Sequence, residues 1–268
     1  MPAIDIARLK IQTAVLVENF DQPAVFIPEL HKILDLYADR TMRKGIVRTQ
    51  ISVLPAYQAP ASVLRQIEME VGVLTSIFTD QALNLADYLW KDGYLESRLL
   101  AAALLGRIKP ETPTLISRIS EWVSVSKDEQ LVKALLGTSL KRVRRETPDE
   151  FLKLIHSWLD LDSPKSWGHA IHAIIPLLAD PDFQNLPPIF DSLSPVVKIL
   201  PPAMQNDLAD LIKALYTASP VETTYFLRQV IAGADSPQIT QTMRRVMTQL
   251  PASLRPVVLE MVRQRTGR

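Results

Sequence analysis

The chain has 268 residues, 47% of them hydrophobic, no cysteine and a formal net charge of +1. That length can bury a large core and is sufficient for an enzyme. The absence of cysteine excludes disulfides, thiolate zinc sites and cysteine nucleophiles, and suits a reducing cytoplasm, which is the expected location. The near-neutral charge excludes a uniformly basic surface, and eight glycines with 6% aromatic residues argue against a Gly-rich sandwich or barrel and for helices.

The opening MPAIDIARLK has no long apolar run and reads as neither signal peptide nor anchor. No run of about 18 apolar residues predicts a membrane span. A first helix is expected near Ala3 to Glu18 and a second from Ala24 to Asp39. Ile46 to Ala61, with Pro55 and Pro60, reads as an extended connection. Val63, Ile67, Val71 and Leu74 then recur at helical spacing over Ser62 to Thr75. Leu85 to Ile108, LADYLWKDGYLESRLLAAALLGRI, reads as a helical hairpin turning at Asp92 and Gly93. In its second arm Leu95, Leu99 and Ala102 share a side, and Leu100, Leu104 and Ile108 extend it. Neither arm buries such a face alone, so the hairpin needs neighbours, as repeat units do.

Further hairpins follow to the C-terminus. Six dipeptides, Thr112-Pro113, Thr147-Pro148, Ser163-Pro164, Ser194-Pro195, Ser219-Pro220 and Ser236-Pro237, place a hydroxyl cap before a proline at a helix start. Glu150 and Glu222 add capping-box spacing. The expected helices run roughly 11–17 residues, and about fourteen fit the chain. Trp90, Trp122 and Trp158 stand 32 and 36 residues apart, the period of a two-helix repeat. No Gly- or Ser-rich linker divides the array, so residues 1–268 are expected to form a single all-α helical-repeat domain.

The chain contains no Gly-rich phosphate loop, nucleophile elbow or HExxH helix. His169 and His172, three apart, lack a convincing third ligand, so no metal and no cofactor are expected. Asp160 and Asp162 lie where a turn is the simpler reading. Two basic clusters stand out, Arg40, Arg43, Lys44 and Arg48, then Lys141, Arg142, Arg144 and Arg145. The second fits phosphate neutralisation, or equally a solvated face balanced by Glu146, Asp149 and Glu150.

ASVLRQIEMEV, the hairpin, Trp122, IHSWLDLDSPKSWGHAIHAIIPLL and ALYTASPVETTYFL before SPQITQTMRRVMTQL together resemble the AlkD-like DNA alkylation repair proteins over roughly residues 46–250. The most specific pieces are Trp90 to Arg98, with Glu96 and Arg98 in an acid-x-arginine pattern, and Trp158 with Trp167 flanking Ser163. The resemblance implies an all-α, HEAT-like helical-repeat solenoid whose concave groove cradles duplex DNA, and an N-glycosylase acting on cationic N3- or N7-alkylated purines. Its chemistry would be a carboxylate stabilising oxocarbenium character, with aromatic rings beside the charged base.

Three positions depart from the family pattern. Its tryptophan-x-x-x-aspartate places Ser126 where the aspartate belongs, leaving Asp128 as the catalytic candidate two residues on. An expected arginine pair stands as Gly168 and His169. A later aromatic-Ala-Leu-Arg motif is replaced at Lys213 to Tyr216. The DNA-contacting set is therefore expected to be Lys141, Arg142, Arg144, Arg145, Trp122, Trp167, His169 and Lys213, in a monomer whose partner is duplex DNA. The competing reading is a non-catalytic helical-repeat scaffold binding a protein or peptide in its concave face.

Overall fold

The computed structural model describes residues 6–38, 52–112, 114–234 and 238–266. Among these residues there are fifteen α-helices and no strand. The chain divides into two compact units, Met1–Thr147 and Pro148–Arg268.

The first unit contains α1 (Ile6–Glu18), α2 (Pro23–Leu36), α3 (Ala61–Thr75), α4 (Thr79–Asp92), α5 (Leu95–Leu105), α6 (Leu115–Val125), α7 (Glu129–Ala134) and α8 (Lys141–Glu146). Helices one apart in order pack together: α1 on α3, α3 on α5 and α5 on α7 make one layer, and α2 packs on α4 in the other. That alternation is the organisation of a helical-repeat protein. The expected hairpin is α4 and α5, closed by Gly93 at φ +86. Only glycine adopts this left-handed C-terminal conformation without steric cost. α5 is buried almost all round, with only Arg98 and Leu99 reaching partial exposure. A helix apolar on every side is a central one, and α5 is the middle of its layer.

Between α7 and α8 the chain makes one π-turn over Leu135–Ser139. Gly106, just beyond α5, explains how that wide turn fits. A Cβ built there would lie 2.3 Å from the Thr138 carbonyl oxygen, so only glycine permits the approach. The Ser139 hydroxyl then donates to the Ala102 carbonyl at 2.8 Å, and Arg144 donates to the Leu136 and Gly137 carbonyls that the irregular turn leaves open.

The second unit contains α9 (Pro148–Trp158), α10 (Trp167–Leu178), α11 (Pro187–Ile199), α12 (Gln205–Ala218), α13 (Pro220–Ala232), α14 (Gln238–Val246) and α15 (Arg255–Thr266). The alternation recurs: α9, α11, α13 and α15 succeed one another in one layer, and α10, α12 and α14 in the other.

The proline reading holds at Pro148 and Pro220, which open α9 and α13. Pro164 opens a short 3₁₀ turn that leads into α10. Ser194-Pro195 is a correction, because Pro195 lies inside α11, whose start is Pro187. The hydroxyl caps are also corrected. Ser219 makes no side-chain cap bond, and the Thr147 hydroxyl donates back to the Val143 carbonyl at 3.2 Å. Thr147 thus finishes α8 instead of starting α9, since a hydroxyl near a helix end can serve either side. Pro113, Ser236, Pro237 and the cluster Arg40, Arg43, Lys44 and Arg48 lie outside the described residues.

Gly106→Ala is expected to destabilise the protein by about 1–3 kcal/mol, the usual cost of overpacking against backbone. Thermal unfolding of the variant beside wild type measures it, and an unchanged Tm would refute the close-approach account.

Candidate functional site

The first unit is organised around an extended strap, residues 52–60, that ties α5 to α7. Glu96, in the first turn of α5 and only 3% exposed, accepts the backbone N–H groups of Tyr57 at 3.2 Å and Ala59 at 3.3 Å. A carboxylate at a helix N-terminus is favoured by the helix dipole, so α5 presents the anion that the strap's N–H groups require. The Leu95 N–H in turn donates to the Pro55 carbonyl at 2.9 Å.

Asp128 holds the strap's other end. It caps α7 by accepting the Leu131 N–H at 3.1 Å, and its second oxygen accepts the Ser52 hydroxyl at 2.6 Å and the Val53 N–H at 3.2 Å. Burial pushes its carboxyl pKa up, but the bonds from Ser52 and from backbone N–H groups of Leu131, Val53 and Gln130 outweigh burial and hold it below the ordinary aspartate range. Asp128 is therefore an ionised, 4% exposed carboxylate that joins the α6–α7 corner to the strap. Ser126, at the position where the aspartate was expected, turns its hydroxyl back to the Trp122 carbonyl at 2.6 Å and closes α6.

Trp122 faces Trp90. Their rings stack at 4.2 Å between centroids and 5° between planes, and the Arg98 guanidinium lies 4.9 Å from the Trp90 centroid. Arg98 also donates to the Trp90 carbonyl at 3.0 Å. One turn away, Arg118 clasps Asp87 with bonds of 2.7 and 2.9 Å. Two rungs thus join α4 to α6, one aromatic and one ionic. Trp122 is 5% exposed, while Trp90 and Arg98 are partly open to solvent.

The basic run Lys141 to Arg145 forms α8. Arg142 makes two 2.6 Å bonds to Glu146 and donates to the Arg107 carbonyl at 2.8 Å, and Arg144 closes the π-turn. Lys141 and Arg145 are exposed. In the second unit Trp167 is 2% exposed, with its indole N–H donating to the Asp160 carbonyl at 2.8 Å, so its ring is core. His169 packs edge-on against Trp158. Burial, aided by His172, lowers its pKa and favours the neutral imidazole. Lys213 is paired with Asp210 at 2.9 Å. The four α8 residues and Trp122 share the first unit, and Trp167, His169 and Lys213 belong to the second.

Sequence reading missed His31, Ser52, Tyr57 and Asp92. His31 bonds to Tyr57, 26 residues on, and to Asp92, 61 residues on. Ser52 reaches Asp128 across 76 residues. No local spacing announces such partners. Among the described residues there is no group of three or more potential ligands that could hold a metal ion, and no helix is long and apolar enough to cross a membrane.

Asp128→Asn should cost about 1–3 kcal/mol at neutral pH, because a charged hydrogen-bond acceptor is lost. The pH sign follows from the depressed folded pKa: the stabilisation is complete above the unfolded value and is lost as pH falls through the folded one. Urea unfolding of wild type and variant should therefore differ at pH 7, and the gap should close as pH falls from the ordinary aspartate range through the folded pKa. A gap independent of pH would contradict this role for the carboxylate.

No curated protein and no solved structure matches the chain. The family described as DNA alkylation repair enzyme matches residues 32–194, from the middle of α2 into α11 and through the strap, both rungs and α8. With more than half of its length matched, the chain belongs to the DNA alkylation repair enzyme family.

Proposed function

We propose that the chain binds duplex DNA and releases purines made cationic by alkylation at N3 or N7, as an N-glycosylase. The observation that carries this reading is the family match across residues 32–194, which includes the Arg98–Trp90–Trp122 stack and the ionised Asp128. Alkylation at a ring nitrogen weakens the glycosidic bond, so the protein needs chiefly a negative charge near the sugar and aromatic surface near the cation. Asp128 supplies the charge in this reading and Trp90 the partly exposed ring. Lys141 and Arg145 are the assigned phosphate contacts, with Arg142 and Arg144 bracing the helix that presents them.

A second reading is favoured by a different feature. Met69, Val73 and Ile77 are 53%, 62% and 64% exposed at four-residue spacing along and just beyond α3, a stripe that suits a protein or peptide partner better than DNA.

Titration of duplex DNA at low and moderate salt separates the two. DNA binding should weaken steeply with salt, and the double variant Lys141→Ala/Arg145→Ala should lower the log–log salt slope by about two. Absence of binding at both salts would end the nucleic-acid reading. Glycosylase action is tested separately, by base release from DNA carrying 7-methylguanine or 3-methyladenine under excess protein. Release from wild type and its loss in Asp128→Asn are expected, with circular dichroism confirming that the variant is folded; no release from wild type would leave binding alone.

A further inference from the structure

Beyond the family-matched residues the chain changes in charge. From Thr223 to Arg268 it has seven arginines, no lysine and two acids, Asp235 and Glu260. That positive excess is larger than the chain's total of +1, so the residues before Thr223 are net acidic. Charge segregated in this way points to a polyanionic partner. Two of the arginines are structural: Arg255 donates to the Leu250 and Thr248 carbonyls at 2.8 and 2.9 Å, and Arg265 donates to the Ile231 and Ala234 carbonyls. Arg244 and Arg245, in the last turn of α14, are exposed. Among the described residues neither has an ionic or hydrogen-bonded partner.

Resting on the DNA-binding reading above, we propose that the exposed face of α14 is a second contact surface for the sugar–phosphate backbone of duplex DNA, with Arg244 and Arg245 binding phosphate. The site lies outside the matched residues 32–194. α14 packs on α11, α12 and α15 with Ile239, Met243 and Val246 buried, which fixes its rotation about its own axis. The outward face then carries Gln241, Arg244 and Arg245 at i, i+3 and i+4, and Thr248 follows in the short 3₁₀ turn Met247–Gln249. All four are exposed. Gln241 adds a side-chain amide and Thr248 a hydroxyl, neutral donors of the kind that accompany guanidinium groups at phosphates. The two guanidiniums offer forked donors that match phosphate oxygens in pairs, as a lysine point charge does not.

A solvated helix face balances its charges, and α14 does not. On α7, α8, α9 and α12 a cation is neutralised by an acid three or four residues away on the same helix: Lys133 by Glu129, Arg142 by Glu146, Lys153 by Glu150 and Lys213 by Asp210. α14, QITQTMRRV, contains no acid. Of the acids on the helices packed against it, Asp207 pairs with His172, Asp210 with Lys213, and Glu260 accepts the Gln264 amide. Neither these nor Asp191 of α11 pairs with Arg244 or Arg245. The helix dipole favours cations in a last turn and accounts for their position, but not for a face without any acid.

Fluorescence anisotropy of a labelled duplex DNA at low and moderate salt tests the site. Arg244→Ala/Arg245→Ala should weaken binding and lower the log–log salt slope by about two. Arg228→Ala/Arg263→Ala removes the same charge from exposed positions on α13 and α15, in the other layer, and should leave the slope at its wild-type value. Arg244→Lys/Arg245→Lys should keep the slope, because the charge is retained, and lose affinity, because the fork is not. A wild-type slope in the Arg244→Ala/Arg245→Ala variant, or an equal loss in the Arg228→Ala/Arg263→Ala variant, overturns this site and leaves DNA binding standing; no wild-type binding at either salt overturns both. Should the Arg244→Ala/Arg245→Ala variant lose its helical melting transition, the wild-type protein decides. Bound DNA should slow phenylglyoxal modification of Arg244 and Arg245, located by peptide mass spectrometry, and not that of Arg228 and Arg263, whereas equal protection of all four refutes the site.

Discussion

Backbone N–H groups outside helices need acceptors, and in the first unit that need falls on the half-exposed strap of residues 52–60. Glu96 and Asp128 meet it from opposite ends, and both carboxylates sit at helix N-termini where their charge is favoured. Each anion therefore does two things with one charge, stabilising its own helix and holding an extended segment that has no ladder of its own. The position of Tyr57, and through it the contact with His31 and Asp92, depends on this arrangement.

A second constraint comes from the shortness of the helices. Every helix end exposes carbonyls without intrahelical partners, and a chain of many short helices has many such ends. Eight glycines are too few to close them all. Arginine does much of this work instead: Arg98 bonds the Trp90 carbonyl, Arg142 that of Arg107, Arg144 those of Leu136 and Gly137, Arg255 those of Leu250 and Thr248, and Arg265 those of Ile231 and Ala234. A planar guanidinium reaches two carbonyls at once, which suits the diverging groups of a frayed or π-wound end. Basic residues that look like a phosphate-binding cluster in the sequence are thus partly structural.

The family relationship and the site chemistry bear on different parts of the molecule. What the match covers is the part of the helical framework from α2 into α11, together with its aromatic rung and the strap. Within that framework the oxygen of Ser126 has turned inward to close α6, and the carboxylate two residues later has been taken up by the strap. The Asp128 carboxylate lies just beyond the Trp122 helix, with its oxygens engaged by protein donors.

Much of the helical framework was legible from periodicity. Val63, Ile67 and Val71 are buried as their spacing required, and Gly93 ends α4 because no other residue suits that backbone. The acid-x-arginine pair of Glu96 and Arg98 was visible too, although its meaning was not. Ser194-Pro195 misled because a proline after serine looks the same at a helix start as within one, and only packing tells them apart. The site resisted reading for a related reason. Asp128 with Ser52, and His31 with Tyr57 and Asp92, are contacts between residues far apart in the chain, and no local pattern encodes them. The sequence by itself determined where helices form and which faces they bury, since those follow from short-range sterics and the removal of apolar surface from water. Tertiary structure alone decided which carboxylate, which guanidinium and which phenol meet, because hydrogen-bond partners are chosen by the distances that packing leaves between them.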